Sequence, residues 1–400
     1  MAGRFAAGDL RTGRILVKNI PAITGSATVV LNAAGTIACD LKLPMVDPYT
    51  DVPIPFTNLI EPCRSFLAYI EDILDAFGIP TGTEKVINAG PIWTDSYDFD
   101  TRTLTLNAAG IASYWDYRYI LTLLNDADPA DVPTGHDTTI TGTSLRTIAK
   151  RLVQQAVSWT GGSVPIVFEA DFAGSNDRIY LGIELNRLGD KLKDLNNVID
   201  GPDIQFRPQF KAGTDSTFIE WVMVTGNPEI SQSGADHVWD MSVPFPTIQG
   251  AKLDRDGTVY VTDAYGIGST PTVATDGAAA DQTAPPLVTK SYDATLVALN
   301  FPRMEGKDSH ASVSIPATLQ GYTDNDVLVG RNAIVSWSFN SKKSVSPSIG
   351  EISEGDYGII KTKGDPRVGD GPHPVRIMQY TCTLGNDFVK YTCFPSRATS

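Results

Sequence analysis

Histidines are the first residues to consider as catalysts or metal ligands. The chain has four of them: His136, His237, His310 and His373. No two stand at the spacing of a helical zinc site, and the sequence has no H-E-x-x-H motif. We therefore expect each histidine to lie in a loop or on the surface.

Carboxylates are numerous, and two of them at a defined separation can hydrolyse a glycosidic bond. The clearest groups are Asp98 with Asp100, and Asp126 with Asp128 and Asp131. Sequence alone does not put two carboxylates across a sugar, so we expect these residues in solvated loops.

Other motifs with a known chemistry are fragmentary. Asp254, Asp256 and Gly257 form part of a calcium loop, but the closing glutamate is missing, so a plain hairpin turn is predicted. The sequence contains neither a G-x-S-x-G elbow nor a phosphate-binding loop. We predict no catalytic residue, no cofactor-binding residue and no metal ligand.

The four cysteines are Cys39, Cys63, Cys382 and Cys393. None forms a C-x-x-C pair, which argues against zinc and thioredoxin-like chemistry. Cys382 and Cys393 flank a turn at residues 385–387 and could face each other across a hairpin. Reduced, buried thiols are the alternative, and this is the one that synthesis in a cytosol favours.

The composition favours a β-rich protein of several domains. With 400 residues and 42% hydrophobic content the chain can bury sizeable cores, and 35 glycines with 26 prolines favour short strands and turns. A net charge of −14 argues against sequence-independent binding of nucleic acid. The N-terminus carries charges without a preceding apolar stretch, so no signal peptide is expected.

Residues 86–119 give the clearest structural pattern in the sequence. An apolar run with Gly-Pro is followed by a polar turn at residues 98–102 and by an alternating Thr-Leu run. This pattern predicts two paired strands. An aromatic cluster follows, and with Trp93 it forms our predicted contact surface: Trp93, Tyr114, Trp115, Tyr117 and Tyr119. The cluster could also stack on a sugar or form the edge of a core.

Further elements follow from periodicity and turn residues. We predict helices at residues 142–158, 186–199 and 316–328. Arg146, Lys150 and Arg151 should form a solvated face of the first helix. A strand through residue 71, followed by a short helix or insertion, is expected in residues 65–77. The remaining predicted strands and loops are strands at 14–17, 27–31, 36–43, 218–224, 311–315, 334–339, 357–362, 375–382 and 388–393, a hairpin at 248–262 and loops at 44–57 and 266–286.

The segment 86–119 resembles minor tail proteins of the tail-hub type from siphophages that infect actinobacteria. It shares the order strand, Gly-Pro, Trp, Tyr-Asp, Thr-Leu strand, Ala-Gly and aromatic-Asp-Arg. Further similar segments follow in the order of the family, and they are residues 140–152, 188–221, 239–268 and 353–390. The stretches 44–57 and 72–85 are longer than the family pattern and could contact a neighbouring tail protein.

The resemblance implies a predominantly β, α+β fold with two small tail-hub β-barrels and inserted helix-containing domains. The implied domains are a first barrel at 1–125, an α+β domain at 126–232, a second barrel at 233–270 with 335–400, and an insertion at 271–334. It also implies a structural protein that forms a trimeric ring. This ring would join the hexameric tail tube to the tip and line the DNA exit channel.

The implied partners are other copies of the chain, the distal tail protein, the tape-measure protein and receptor-binding or other minor tail proteins. DNA would pass without specific binding, and no membrane anchor is expected. The chain would be made in the bacterial host cytoplasm and reside at the tail tip of the virion. The competing hypothesis is a carbohydrate-binding or cell-wall-hydrolysing tip module, which would use Trp93, Trp115 and the Asp98–Asp100 pair.

Overall fold

A computed structural model describes residues 3–46, 53–54, 60–198, 200–244, 246–269, 285–310, 313–331 and 333–396. Contacts divide the chain into two units. The first unit comprises Met1–Lys252 and Trp337–Ser400, and the second comprises Leu253–Ser336. Within the described ranges, no helix is both long and apolar enough to cross a membrane.

The N-terminal part of the first unit is built from strands. They are β1 Arg4–Asp9, β2 Ile15–Ile20, β3 Ala22–Val30, β4 Ala33–Lys42, β5 Met45–Val46, β6 Pro53–Ile54, β7 Ser65–Leu74, β8 Pro80–Asp98 and β9 Thr103–Ala109. In β4 the side chains of Ile37, Cys39 and Leu41 are buried and their neighbours are less so. This alternation is that of a strand with one face on a core.

A helix-containing part follows in the same unit. Its elements are β10 Thr138–Thr143, α1 Leu145–Val157, β11 Ile166–Phe168, β12 Asn176–Tyr180, α2 Leu188–Asn197, β13 Ile204–Phe210 and β14 Ile219–Thr225. The Ser144 hydroxyl accepts a hydrogen bond from the backbone N–H of Thr147 at 3.3 Å and caps α1. Helices α1 and α2 each bury one apolar face, which confirms the predicted helical periodicity of both segments. The prediction of a solvated face is wrong for Lys150. This residue is buried, and its Nζ donates to the Glu169 carbonyl at 2.9 Å.

The C-terminal part returns to the sheet. Its strands are β15 His237–Asp240, β16 Ile248–Asp256, β20 Ile334–Lys342, β21 Tyr357–Thr362, β22 Gly371–Thr383 and β23 Phe388–Pro395. The main path of the sheet runs β16-β20-β23-β22-β3-β4-β9-β8-β7-β1-β2, and β15 and β21 branch from β22. Strand β22 pairs with β3, so Tyr380 lies opposite Val29 and joins the two ends of the chain.

The predicted predominantly β class is confirmed, with several sheets and a few helices. Among the described residues the strand pairing does not close into a barrel. The chain is therefore a β-rich fold in which one open path of strands links the regions expected to form two closed barrels.

The second unit is a small sheet with two helices. Its elements are β17 Asp263–Ile267, β18 Val288–Tyr292, α3 Ala294–Ala298, β19 Glu305–Ser309 and α4 Pro316–Val329. Strand β17 is central and pairs antiparallel with β18 and parallel with β19. Asp293 caps α3, and its carboxylate accepts from the backbone N–H of Thr295 at 2.7 Å.

Three local predictions are wrong. The expected hairpin at 248–262 does not form, because β16 pairs with β20 and the next strand begins only at Asp263. Strand β7 continues to Leu74 and a tight turn follows, so the short helix is absent from residues 72–78. Of the predicted strand 311–315, residues 311–312 lie outside the described residues, and residues 313–315 are in no strand.

Two predicted loops fall partly outside the described ranges. In the predicted loop 44–57, residues 47–52 and 55–57 lie outside the described ranges. Strands β5 and β6, which belong to the same stretch, pair with each other. In the predicted loop 266–286, residues 270–284 lie outside the described ranges. Strand β17 extends into this loop as far as Ile267.

The cysteines are free thiols. Cys39, Cys382 and Cys393 are buried, and Cys63 is exposed. Cys382 lies opposite Val389, whereas Cys393 lies opposite Ile377, so the two cysteines do not face each other across the hairpin. Burial raises the pKa of the Cys39 and Cys382 thiols to about 12, which keeps them protonated and unreactive at neutral pH.

Candidate assembly surface

The predicted aromatic residues are brought together by a 3₁₀ turn at Ile111–Tyr117, directly after β9. The preceding Gly110 lets the chain pass close to β4, since a Cβ at that position would lie 2.1 Å from the carbonyl oxygen of Ala34. The turn thus packs against the sheet, with Ile111 and Trp115 buried and Tyr117 exposed.

Trp93 and Tyr117 form the outer part of the cluster. Their rings are stacked with centroids 4.4 Å apart. The indole N–H of Trp93 donates to the Ser113 hydroxyl at 2.8 Å, and that hydroxyl donates to the Gly110 carbonyl at 2.8 Å. Trp93 is half-buried, whereas Tyr117 is 67% exposed and Tyr119 is 42% exposed. Trp93 and Tyr117 are therefore held in place, and much of the Tyr117 side chain remains in water.

Tyr114 and Trp115 belong to the core instead. Trp115 is fully buried, and its ring lies 5.5 Å from that of Phe206 on β13. Tyr114 is partly buried and packs against the same core. Of the five residues of the predicted contact surface, Trp93, Tyr117 and Tyr119 are therefore the three that lie outside the core. Sequence spacing did not distinguish these two groups, because Tyr114 and Tyr117 are three residues apart, as on one face of a 3₁₀ turn, and only packing against the core separates them.

A cleft of about 240 Å³ opens beside the cluster. Its apolar lining comes from β4, the 3₁₀ turn, α2 and β13, and comprises Ala33, Ala34, Ala112, Trp115, Leu192 and Phe206. Asp116 and Lys193 stand in its wall, with the Lys193 Nζ 3.4 Å from the Asp116 Oδ1. The lining is that of a site for an apolar group.

A buried polar junction joins three segments of the first unit. The Asp203 carboxylate accepts from the Asn32 amide at 2.9 Å and from the backbone N–H of Ile230 at 2.8 Å, and it pairs with the Arg376 guanidinium. Asn32 has a left-handed backbone with φ of 60° in the β3–β4 turn, a conformation that asparagine tolerates. Sequence spacing does not reveal this junction, because its partners are far apart in the chain.

A second cavity of about 260 Å³ has a mixed lining that includes the charged side chains of Glu84, Lys85, Arg207 and Glu354. Arg207 donates to the Glu354 carboxylate at 2.6 Å. Lys85 donates to the Ile349 carbonyl at 3.0 Å, and burial lowers the pKa of its ammonium group. Each of these charged groups has a partner within the chain. We therefore interpret the cavity as a place where polar contacts connect separate segments of the chain.

The carboxylates considered for glycoside hydrolysis hold turns. Asp98 accepts from the backbone N–H groups of Asp100 at 2.8 Å and Thr101 at 3.1 Å. These bonds, that of Thr101 first, lower the pKa of Asp98, which is unfavourable for a general acid. Trp115 is buried, so it cannot stack on a sugar together with Trp93.

One arrangement has the outline of a hydrolase triad. The His136 Nε2 lies 2.7 Å from the Asp131 carboxylate, and its Nδ1 lies 3.1 Å from the Thr122 hydroxyl. The same Asp131 accepts from the backbone N–H of Asn125 at 2.6 Å, and this bond is the first cause of its lowered pKa. The three side chains therefore tie together the loop at residues 122–136.

The other three histidines also have structural partners. His237 lies 3.2 Å from Asp356, His310 stacks on Tyr322, and the His373 Nε2 lies 2.7 Å from the Thr362 hydroxyl. In the ranges that the structure covers, no group of three or more histidine, cysteine or acidic side chains could hold a metal ion.

No protein-family model and no curated protein matches this chain. Solved structures with a similar fold include the tail protein from Neisseria meningitidis MC58, with 11% identity and a TM-score of 0.54 over 99% of this chain and 97% of that one. They also include the 43 kDa tail protein of prophage MuSo2 from Shewanella oneidensis, with 11% identity and a TM-score of 0.53 over 99% and 98% of the two chains. At this identity the likeness concerns the fold, which this chain shares with these two tail proteins over nearly its whole length.

Proposed function

We propose that this chain is a structural protein of a phage tail tip, of the hub type, and that it carries out no catalysis. Three copies would form a ring that joins the hexameric tail tube to the tip and surrounds the DNA exit channel. The observation that carries the proposal is the fold shared with two phage tail proteins, which extends over 99% of this chain.

The site chemistry supports an architectural role. The buried charges pair with one another or with backbone carbonyls, and they join distant segments of the chain. Such pairs specify one arrangement of segments. A net charge of −14 suits a channel through which DNA passes without binding, because like charges repel.

The proposed host range and partners come from the ordered sequence segments that resemble hub proteins of siphophages infecting actinobacteria. The partners would be the distal tail protein, the tape-measure protein and receptor-binding or other minor tail proteins. The proposed domain division, with β-rich domains at 1–125 and at 233–270 with 335–400, belongs to the same hypothesis. The chain would act at the tail tip of the virion after synthesis in the host cytoplasm.

Trp93, Tyr117 and Tyr119 form the proposed contact surface for a neighbouring tail protein. Aromatic side chains are enriched at interfaces, where they bury large areas at a small entropic cost. Trp93 and Tyr117 are already ordered by stacking and by the Ser113 hydroxyl. This pre-organisation reduces the entropy that binding would otherwise lose.

Cryo-electron microscopy of purified tails tests the proposal. We expect three copies in a ring directly below the last layer of the tube. Density on peripheral fibres alone, or the absence of this chain from the particle, would overturn it. Phage carrying Tyr117→Ser should assemble fewer complete tails than phage carrying Phe99→Ser, a matched change of an exposed aromatic residue outside the surface.

The alternative function, a carbohydrate-binding or cell-wall-hydrolysing module, has a direct test. The purified chain is incubated with actinobacterial cell walls, and released sugar and peptide are measured. We expect no release above buffer and no difference for Thr122→Ala or Asp98→Asn. Release that either substitution abolishes would favour the alternative and contradict a purely structural role.

A further inference from the structure

Six exposed apolar side chains lie on two segments of the helix-containing part, residues 122–137 and 176–187. Each is between 42% and 65% exposed, and they are Leu123, Val132, Ile179, Leu181, Ile183 and Leu185. Leu185 also has a left-handed backbone with φ of 48°, a conformation that costs a leucine free energy. We call these six residues the apolar patch.

Hydrogen bonds hold the two segments against each other. The backbone N–H of Ile120, just before the first segment, donates to the Asn186 carbonyl at 2.9 Å. The backbone N–H of Gly182 donates to the Asp137 carboxylate at 2.8 Å. A Cβ at Gly182 would lie 2.2 Å from the Pro133 carbonyl oxygen, so the segments are in direct contact there. The apolar patch therefore belongs to one ordered surface, and exposed apolar residues grouped in this way mark interaction sites.

Acidic residues lie among the side chains of the apolar patch. The two segments contain six acidic residues and two arginines, and Glu184 stands directly between Ile183 and Leu185. Asp131 lies 2.7 Å from His136. The other five acidic residues are exposed and form no ion pair within the described residues, and they are Asp126, Asp128, Asp137, Asp177 and Glu184. The surface thus combines exposed apolar groups with negative charges that the chain does not neutralise.

The sign of these charges selects the class of partner. DNA and anionic lipid membranes are negatively charged, so the carboxylates would repel both. A second copy of this chain has a net charge of −14 and is disfavoured for the same reason. A protein segment that carries lysine or arginine beside apolar side chains matches the surface in both charge and polarity.

We propose that the apolar patch binds a basic amphipathic segment of another protein. The apolar side chains of that segment cover the six residues of the patch, and its lysine and arginine side chains pair with the five carboxylates that have no partner in this chain. The patch includes neither Trp93 nor Tyr117, so it is a contact surface separate from theirs. Binding at the patch requires the folded chain alone and does not depend on the ring of the proposed function.

Binding of a model peptide to the full chain tests the selection by charge. The probe is a fluorescein-labelled amphipathic peptide of leucine and lysine, and its counterpart has glutamate in place of every lysine. Fluorescence anisotropy gives the Kd of each peptide. We expect the lysine peptide to bind about ten times more tightly or more, and its affinity to fall as salt rises, because salt screens exposed charges. Equal affinities of the two peptides would overturn the proposal.

An apolar substitution locates the binding on the patch. Ile183→Ser removes a side chain that is 65% exposed, and Ile23→Ser is the matched control, since Ile23 is 54% exposed on β3. We expect Ile183→Ser to weaken binding of the lysine peptide about tenfold, because the burial of one isoleucine is lost. Ile23→Ser should leave the Kd unchanged, and both variants should keep the urea midpoint of wild type. Equal effects of the two substitutions on the Kd would contradict binding at the patch.

A charge substitution tests the role of the carboxylates. Asp126→Asn/Glu184→Gln removes two of the carboxylates that form no ion pair, and Glu61→Gln/Asp100→Asn removes the same charge from exposed residues elsewhere. We expect the first variant to bind the lysine peptide about fivefold more weakly, because two ion pairs with the peptide are lost. The second variant should bind as wild type does. Equal losses would show that only the net charge of the chain attracts the peptide.

Photocross-linking in purified tails identifies the natural occupant. Ile183 is replaced by benzoylphenylalanine in one phage and Ile23 in another, and cross-linked peptides are sequenced by mass spectrometry. We expect position 183 to cross-link to a basic segment of another tail protein, and position 23 not to reach that segment. A cross-link from position 183 to a second copy of this chain, or to an acidic segment, would overturn the proposal. Absence of the chain from tails would overturn the hub instead, while the peptide measurements still decide the patch.

Discussion

The two units of the chain bury carboxylates with opposite effects on their ionisation. In the first unit Glu71 is fully buried and pairs with the equally buried Lys343. Burial raises the pKa of Glu71, and the Lys343 ammonium only partly offsets this effect. In the second unit Asp263 and Asp293 are buried as well, but their pKa values are lowered.

The difference lies in the number and kind of partners. Glu71 has the Tyr69 hydroxyl and one lysine, and its Oε2 has no hydrogen-bond partner among the described residues. Burial also opposes ionisation of Asp263, but Lys290 and Arg303, both 3.2 Å away, outweigh it. Desolvation therefore raises the pKa of Glu71, which is fully buried with one cationic partner. At Asp263 the two cations, which are themselves half-exposed, outweigh desolvation and lower the pKa.

The two units also differ in their cores. The first unit buries large aromatic side chains, among them Trp115, Trp221 and Trp239. In the described part of the second unit the buried apolar side chains are aliphatic and include Leu296, Leu319 and Val327, and no aromatic side chain is buried. A small unit has less interior in which to bury such side chains. We therefore expect the second unit to have the smaller free energy of unfolding.

Removing the buried lysine should have the largest effect. Lys343→Met leaves Glu71 as an uncompensated buried charge, which costs about 3–5 kcal/mol. All six tryptophans lie in the first unit, so urea unfolding followed by tryptophan fluorescence reports on this unit. The double variant Glu71→Gln/Lys343→Met is the control and should regain most of the loss. A single variant as stable as wild type would contradict the buried-pair interpretation.

The Lys343→Met variant should also reverse the usual response to pH. A raised folded-state pKa means that the stabilising contribution of Glu71 is present below its unfolded value of about 4.5 and is lost as pH rises through the folded value. The variant should therefore resist urea better at pH 4 than at pH 7. A stability that increases with pH in this variant would show that Glu71 is not the dominant group.

Acid should open the second unit before the first. The lowered pKa values of Asp263 and Asp293 mean that their contribution is present above the ordinary value of 3.8 and is lost as pH falls through the folded values. Limited digestion with pepsin below that pH should cut first within residues 253–336. Tryptophan fluorescence should still be native at that stage. First cuts within residues 138–225 would oppose this order.

Asp293→Ala should have a moderate, local effect. The substitution removes the cap of α3 and the ion pair with Arg331, which lies 2.5 Å away. Loss of an N-cap costs about 1–2 kcal/mol. Hydrogen exchange should accelerate in residues 293–299 while the urea transition of the tryptophans stays in place. The matched change Asp324→Ala, on α4, should leave exchange at α3 unaltered.

Phe77→Ser should have the smallest effect on stability. Substitution of an exposed residue changes the free energy of unfolding by about 0.5 kcal/mol or less. The tryptophan-monitored urea midpoint should therefore match that of wild type. A clear loss of stability would contradict the exposure of the Phe77 side chain, which is 89% accessible.

Local pattern was sufficient for much of the fold. The buried stripe Leu188, Leu192 and Leu195 predicted α2, and the Thr-Leu alternation predicted β9. Both follow from side-chain spacing along a helix or a strand. Predictions were wrong where pairing decided the structure, as at β16, whose partner β20 comes from a distant part of the chain.

The sequence by itself determined the β-rich class, the two long helices of the first unit and the concentration of aromatic residues at positions 114–119. These depend on neighbours a few residues apart, whose periodicity is written directly in the chain. Only the tertiary structure decided that Trp115 is core while Tyr117 is surface, that Asn32 meets Asp203, and that Lys343 neutralises Glu71 across 272 positions. Such pairs form because folding removes both partners from water together, and no local spacing encodes which partner that will be.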